Sequence, residues 1–193
     1  MERFNVLLAC LGLLPFAQSF VGAEDAMTTK HLTVSSPAFA QNSLLPPRYS
    51  GEGQDVSPPI EWTEVPPAAK ALALVVDDPD APSPEPWVHW VLYNISPREM
   101  RLPEAVPVKL NASGVDDGAI IVSAAMPGLN SWNKVGYKGP FPPIGHGLHH
   151  YHFRLYALDA ELSFVRLPTK RDLEIAMKGH VLAEGETIGV YQR

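Results

Sequence analysis

Proline sets the terms for this chain. Twenty prolines are scattered along its 193 residues. Proline has no backbone N–H to donate and its ring fixes φ, so it breaks helix interiors and is kept out of central strands. A chain punctuated this way does not build a helix bundle. It builds short strands joined by shaped loops.

Between the prolines, several segments read as strands. HLTVSS (31–36) is a first strand. ALALVV (71–76) is a continuous apolar run suited to a strand buried on both faces. WVHWVLYNI (87–95) is rich in aromatic and β-branched residues. AIIVSA (119–124), HHYHFRLYAL (149–158) and ETIGVYQ (186–192) follow, the last weakened by Gly189. One segment, TKRDLEIAMKGH (169–180), reads as a helix, with Leu173, Ala176, Met177 and His180 at i, i+3, i+4, i+7 spacing. Thr169 is its expected cap and Gly179 helps end it. The pattern is a β-sandwich or barrel with one late helix.

The N-terminus has a different character. MERFN carries Arg3, VLLACLGLLPFAQSFV is apolar, and VGA places small residues before Glu24. This is the three-part pattern of a secretory signal peptide. Pro15 and Gln18 interrupt the apolar run, which is too short to span a bilayer with about 20 residues. Residues 1–23 are therefore expected to be a cleaved signal peptide and 24–193 the folded domain, exported to the periplasm or beyond. Cys10 resembles a lipidation site, but only Val6 to Ala9 precede it, short of the roughly 7–15 apolar residues a signal core needs. Cys10 is the one cysteine of the chain. Its removal with the signal leaves no disulfide, thiolate metal site or cysteine nucleophile. The remaining length, about 170 residues, suffices for one hydrophobic core.

The net charge of −6 is unchanged by that cleavage, which removes only Glu2 and Arg3. Without a lysine or arginine run, nucleic acid is excluded as a natural partner.

Three segments carry chemistry. DDPDAP places Asp78 and Asp80 two apart after a buried strand, so in extended backbone both point the same way. Adjacent carboxylates need a metal, a proton or N–H donors, although turn aspartates commonly just bond their own backbone. In WVHWV, period two places Trp87, His89 and Val91 on one face and Val88, Trp90 and Leu92 on the other. In GPFPPIGHGLHHYHF (139–153), prolines and glycines shape a rigid loop. Beyond it, His149, Tyr151 and Phe153 share one strand face, and His150, His152 and Arg154 the other. An imidazole and a phenol on one face both offer hydrogen bonds to an oxyanion. His146, His150 and His152 read as exposed or satisfied residues. Trp62, Trp90 and Trp132 read as core or loop packing, with Trp132 and Tyr137 shaping the loop before the third segment.

Together with DVSPPIEW (55–62), PGLNSWNKVGY (127–137) and MKGHVLAEGETIGVY (177–191), these segments resemble the phosphatidylethanolamine-binding protein family, in its bacterial Raf-kinase-inhibitor-like branch. The resemblance runs from about His31 to Arg193. It implies a mostly β protein, a Greek-key β-sandwich with one or two peripheral helices. It implies a small surface pocket for an anion such as phosphate or a phospholipid head group. The matching lining residues are Asp78, Asp80, Pro82, Trp87, His89, Gly139, Pro142, Pro143, His149 and Tyr151. The aspartates would orient the histidines, and the prolines would stiffen one wall. Phe141 departs from the cysteine that many bacterial members carry there. No helical extension of the kind animal members place beside the pocket is expected after the last strand.

Three functions follow. The first is non-catalytic binding of a small anionic ligand, with no cofactor and no catalytic residues, and with modulation of a kinase or protease partner as an extension. The second is a metal-assisted hydrolase built on Asp78, Asp80, His89 and His149. The third is a secreted inhibitor or competitor protein. The export reading has a direct check: expressed in a bacterial host, the secreted protein should have the intact mass of a chain beginning at Glu24.

Overall fold

Every side chain from Ala71 to Asp78 is buried. That strand therefore lies at the centre of the molecule with a layer on each face. The computed structural model describes Met1 and residues 30–109, 119–120 and 125–193. Residues 2–23 of the expected signal peptide lie outside the described residues, as do residues 121–124 of the expected fourth strand.

In chain order the strands are β1 (Lys30–His31), β2 (Thr33–Ser35), β3 (Ser43–Leu44), β4 (Ile60–Thr63), β5 (Ala71–Asp78), β6 (Trp87–Ile95), β7 (Arg101–Leu102), β8 (Val108–Lys109), β9 (Ala119–Ile120), β10 (Met126–Pro127), β11 (His149–Leu158) and β12 (Val181–Tyr191). A 3₁₀ turn spans Pro47–Tyr49 and the helix α1 spans Lys170–Met177. The large sheet has the order β1-β12-β11-β5-β6-β10, with β3 also on β12. Its β11-β5-β6-β10 core is antiparallel throughout and follows the 4-1-2-3 order of a Greek key. β1 and β3 join β12 in parallel, which makes the sheet mixed.

A small sheet, β2-β4-β7, covers one face. Its Val34, Ile60, Trp62 and Leu102 pack on Leu72, Leu74, Val76, Trp90 and Phe153 of the large sheet. On the other face, Leu162, Leu173 and Met177 pack on Ala73, Val75 and Val91. Each aliphatic or phenyl side chain so buried contributes roughly 1.5–3 kcal/mol. The β-sandwich expected from the sequence is present, with α1 as a third layer.

Thr169 caps α1 as expected. Its hydroxyl accepts from Asp172 N at 3.2 Å and its own N–H donates to the Asp172 carboxylate at 2.9 Å, a capping box. Leu173 and Met177 face the core, but His180 lies beyond the helix and bonds Asp159 at 2.7 Å. The expected strand 31–36 is two strands. The chain passes at Leu32 from the large sheet to the small one, β1 pairing with β12 and β2 with β4. The last strand begins at Val181, earlier than its composition indicates, because Gly185 and Gly189 lie against Leu32 and Leu45 and suit the ladder.

α1 is also held by charge. Asp77 is fully buried. It accepts from Arg154 Nη1 and from Lys170 Nζ, each at 2.5 Å. Asp77→Ala should lower stability in urea unfolding by about 3 kcal/mol, the low end for a broken buried pair. Arg154 and Lys170 keep partial contact with water, which limits the loss.

Candidate anion pocket

Antiparallel pairing brings the end of β5 and the starts of β6 and β11 to one end of the large sheet. Asp78 pairs with Trp87, and Asp77 pairs with both Val88 and His152. A cavity of about 260 Å³ opens there. Asp78, Pro82, Trp87, His89, Pro142, Pro143, His149 and Tyr151 line it, together with Ala81, Ser83, Trp132 and Phe141.

The strict alternation expected of β6 fails at His89. Val76 pairs with Trp90 and Asp77 with Val88, so His89 is the extra residue of a bulge. A bulge re-aims side chains next to it. His89 keeps to the cavity, its ring edge-on to Tyr151 at 5.1 Å. Trp90 then joins the core between the sheets, and Val91 packs toward α1, opposite to the face expected. The 137–139 segment straps the bulge. Lys138 N donates to His89 O at 3.0 Å, and His89 Nδ1 donates back to Lys138 O at 2.5 Å.

Gly139 is a support for the site and not part of its lining. A Cβ there would sit 2.2 Å from Tyr49 O. Its N–H donates to Asp55 Oδ1 at 2.6 Å, and Asp55 also pairs with Lys138. Only glycine lets the strap lie against the 49–55 loop.

The aspartates of the loop part company. Asp78 is 3% exposed. Its Oδ1 accepts from Asp80 N at 2.9 Å and its Oδ2 from His149 Nδ1 at 2.7 Å. That turn bond bends the chain, so the expected common direction of Asp78 and Asp80 is not realised. Asp80 faces out and accepts from the backbone and ring nitrogens of His150, at 2.9 and 2.7 Å. Burial raises the Asp80 pKa, but the hydrogen bonds and charge of His150 outweigh it and the net shift is downward. Asp80 therefore leaves the lining, and the two-aspartate, two-histidine metal set does not converge. Among the described residues no cluster of three or more His, Cys, Asp or Glu is arranged to hold a metal ion.

Burial lowers the His89 pKa, against the raising effects of the Lys138 carbonyl and of Asp78, Asp55 and Asp77. Burial first, then the Asp78 charge, raises the Tyr151 pKa, so its phenol stays protonated. His149 Nε2 meets His146 Nδ1 at 2.7 Å. Of the other two histidines of the segment, His150 bonds Asp80 and His152 bonds Glu186, so both are satisfied. Trp132, expected to pack and to shape its loop, is itself a cavity wall, 38% exposed and edge-on to Trp87 and His89 at 5.4 and 5.2 Å. Its loop has no periodicity from which that could be read. By NMR, the His89 ring should titrate below the ordinary value of about 6.5. Asp78→Asn should move it lower still, because the Asp78 charge is one of those that raise it.

The family model for phosphatidylethanolamine-binding protein matches residues 35–192. A UPF0098 protein of Methanothermobacter thermautotrophicus is 43% identical over 162 residues, covering 84% of this chain and 99% of that one. Among solved structures, a putative phosphatidylethanolamine-binding protein homolog from Chlamydia trachomatis is 36% identical. It superposes with a TM-score of 0.72, covering 86% of this chain and 99% of its own. YbcL from E. coli is 28% identical with a TM-score of 0.73, covering 84% and 99%. With the family model spanning nearly all of the described domain and relatives aligned almost end to end, the chain belongs to the phosphatidylethanolamine-binding protein family.

Proposed function

We propose that this protein is a non-catalytic binding protein. It takes a small phosphate-type anion, free or as a phospholipid head group, in the cavity between β5, β6 and β11, and works after export. One observation carries the reading. Two imidazoles and a phenol from two strands, His89, His149 and Tyr151, line one cavity, and the carboxylate among them has both oxygens already committed to internal donors. The Asp78 charge is thereby turned to orienting His149 and away from repelling a ligand. At about 260 Å³ the cavity lies just below the usual range of drug-sized sites, from about 300 Å³, and suits a head group. The family description names phosphatidylethanolamine, a phospholipid with such a head group. The lining serine, Ser83, donates to the Glu85 carbonyl at 2.5 Å and is not paired with an imidazole base, which favours binding over nucleophilic catalysis.

Protons enter through His89. Its Nδ1–H is committed to Lys138, so the neutral ring offers Nε2 only as a lone pair, which repels an anion. Anion binding therefore raises the burial-lowered His89 pKa. By linkage, affinity rises as pH falls from the bound-state value toward the free-state value. Sulfate has no proton to exchange in this range and isolates the protein's contribution. Calorimetry between about pH 8 and pH 5 should show sulfate and phosphate binding that strengthens on acidification and is lost in His149→Ala. Flat sulfate affinity would sink the proton-coupled form. Absence of saturable binding by either anion would sink the reading as a whole.

A further inference from the structure

We infer that Arg193 is a positioning residue that gives this pocket its ligand preference: it fixes Phe141 as an aromatic wall at the mouth, and that wall favours phosphate monoesters with an aryl group over those with a small alkyl group. The inference rests on the anion reading above and names the kind of ester that the same cavity prefers.

The cavity is amphipathic. Asp78, His89, His149 and Tyr151 are its buried polar groups. Phe141 and Trp132 also line it but keep contact with water, at 51% and 38% exposure, so these two rings stand at its mouth. A phosphate seated among the buried groups turns its ester substituent toward the rings. Among the described residues no lysine or arginine lines the cavity, so that substituent meets apolar surface and not a cation.

An exposed phenyl ring is ordinarily free to change rotamer. This one is clamped. The guanidinium carbon of Arg193 lies 3.6 Å from the centroid of the Phe141 ring, a favourable cation–π contact. Arg193 is not part of the cavity lining, so it backs the ring and leaves the rest of the ring surface to the ligand. Gly51 closes on the same ring from another segment. A Cβ there would sit 2.9 Å from Phe141 Cδ2, and the Gly51 N–H donates to Pro140 O at 2.8 Å.

Arg193 is itself oriented. Its Nε donates to Glu52 Oε1 at 3.2 Å and its Nη1 to Pro142 O at 3.3 Å. The other oxygen of Glu52 accepts from the Tyr191 hydroxyl at 2.7 Å, which accepts from Ser50 Oγ at 2.9 Å. One side chain thus holds two neighbouring lining residues, Phe141 by its ring and Pro142 by its carbonyl. A wall fixed before binding loses no rotamer freedom when a ligand packs on it. An aryl group gains ring-to-ring contact there, and a methyl group has no ring to offer.

The test is calorimetry with methyl phosphate and phenyl phosphate, two monoesters of like charge, on the wild type, Phe141→Ala, Arg193→Ala and Arg193→Lys. The readout is the ratio of the two affinities, because a general loosening of the fold lowers both together. The wild type should bind phenyl phosphate about two- to ten-fold more tightly, the value of one aromatic pair. Phe141→Ala and Arg193→Ala should each abolish most of that preference. Arg193→Lys, which keeps a cation for the ring, should retain it. Equal affinities in the wild type, or a preference that survives Phe141→Ala, would overturn the role assigned to the wall. A preference that survives Arg193→Ala, or a fall by the same factor for both esters in that variant, would overturn the role assigned to Arg193. Each of these outcomes leaves the anion reading standing. If neither ester binds the wild type, the anion reading falls and this inference with it.

Discussion

Two carboxylates sit side by side at the end of the central strand with almost no access to water, Asp77 at 0% and Asp78 at 3% exposure. Burying one charge without a partner costs several kcal/mol, and burying two neighbours compounds it. The pleat points them to opposite faces, so each face must supply its own compensation. On one side Arg154 and Lys170 reach Asp77, and Lys170 brings the first turn of α1 with it. On the other, His149 and the Asp80 N–H satisfy Asp78. A single step along β5 thus places both the helix on the back of the sheet and the imidazole in the pocket.

The pocket is then made rigid by backbone rather than by charge. The bulge turns His89 out of the β5–β6 ladder, and the Lys138 backbone holds it from both its carbonyl and its ring. Gly139 lets that strap press against the Tyr49 carbonyl. Pro82, Pro142 and Pro143 line the mouth, where fixed φ angles limit the loops' freedom.

Much of this was written in local pattern. The uniform apolar run at 71–76 announced a strand covered on both faces, because no residue in it tolerates water. The alternation in β11 sorted His149 and Tyr151 from His150 and His152, and the structure keeps that sorting. Thr169 marked the helix start, and the structure adds Asp172 to complete a capping box within four residues. Other features were not legible. The turn reading of DPD holds at Asp78, whose side chain accepts from Asp80 N, but nothing in DPD reveals that this turn separates the directions of Asp78 and Asp80. Val91 was placed on the wrong face because a bulge adds one residue without a mark in composition. Trp132 and Asp55 act from loops, where no period exists to read.

The sequence by itself determined the element types, the family and most of the residues that meet at the pocket. Those depend on burial periodicity, turn chemistry and short motifs, all of them properties of neighbours in the chain. Only the tertiary structure decided which aspartate faces the ligand site and which one bolts the helix. It also decided that Gly139 supports rather than lines. Each of these turns on contacts between segments distant in sequence, Asp78 with His149, Gly139 with Tyr49, and Lys138 with His89, and such contacts exist only once the sheet has closed over its core.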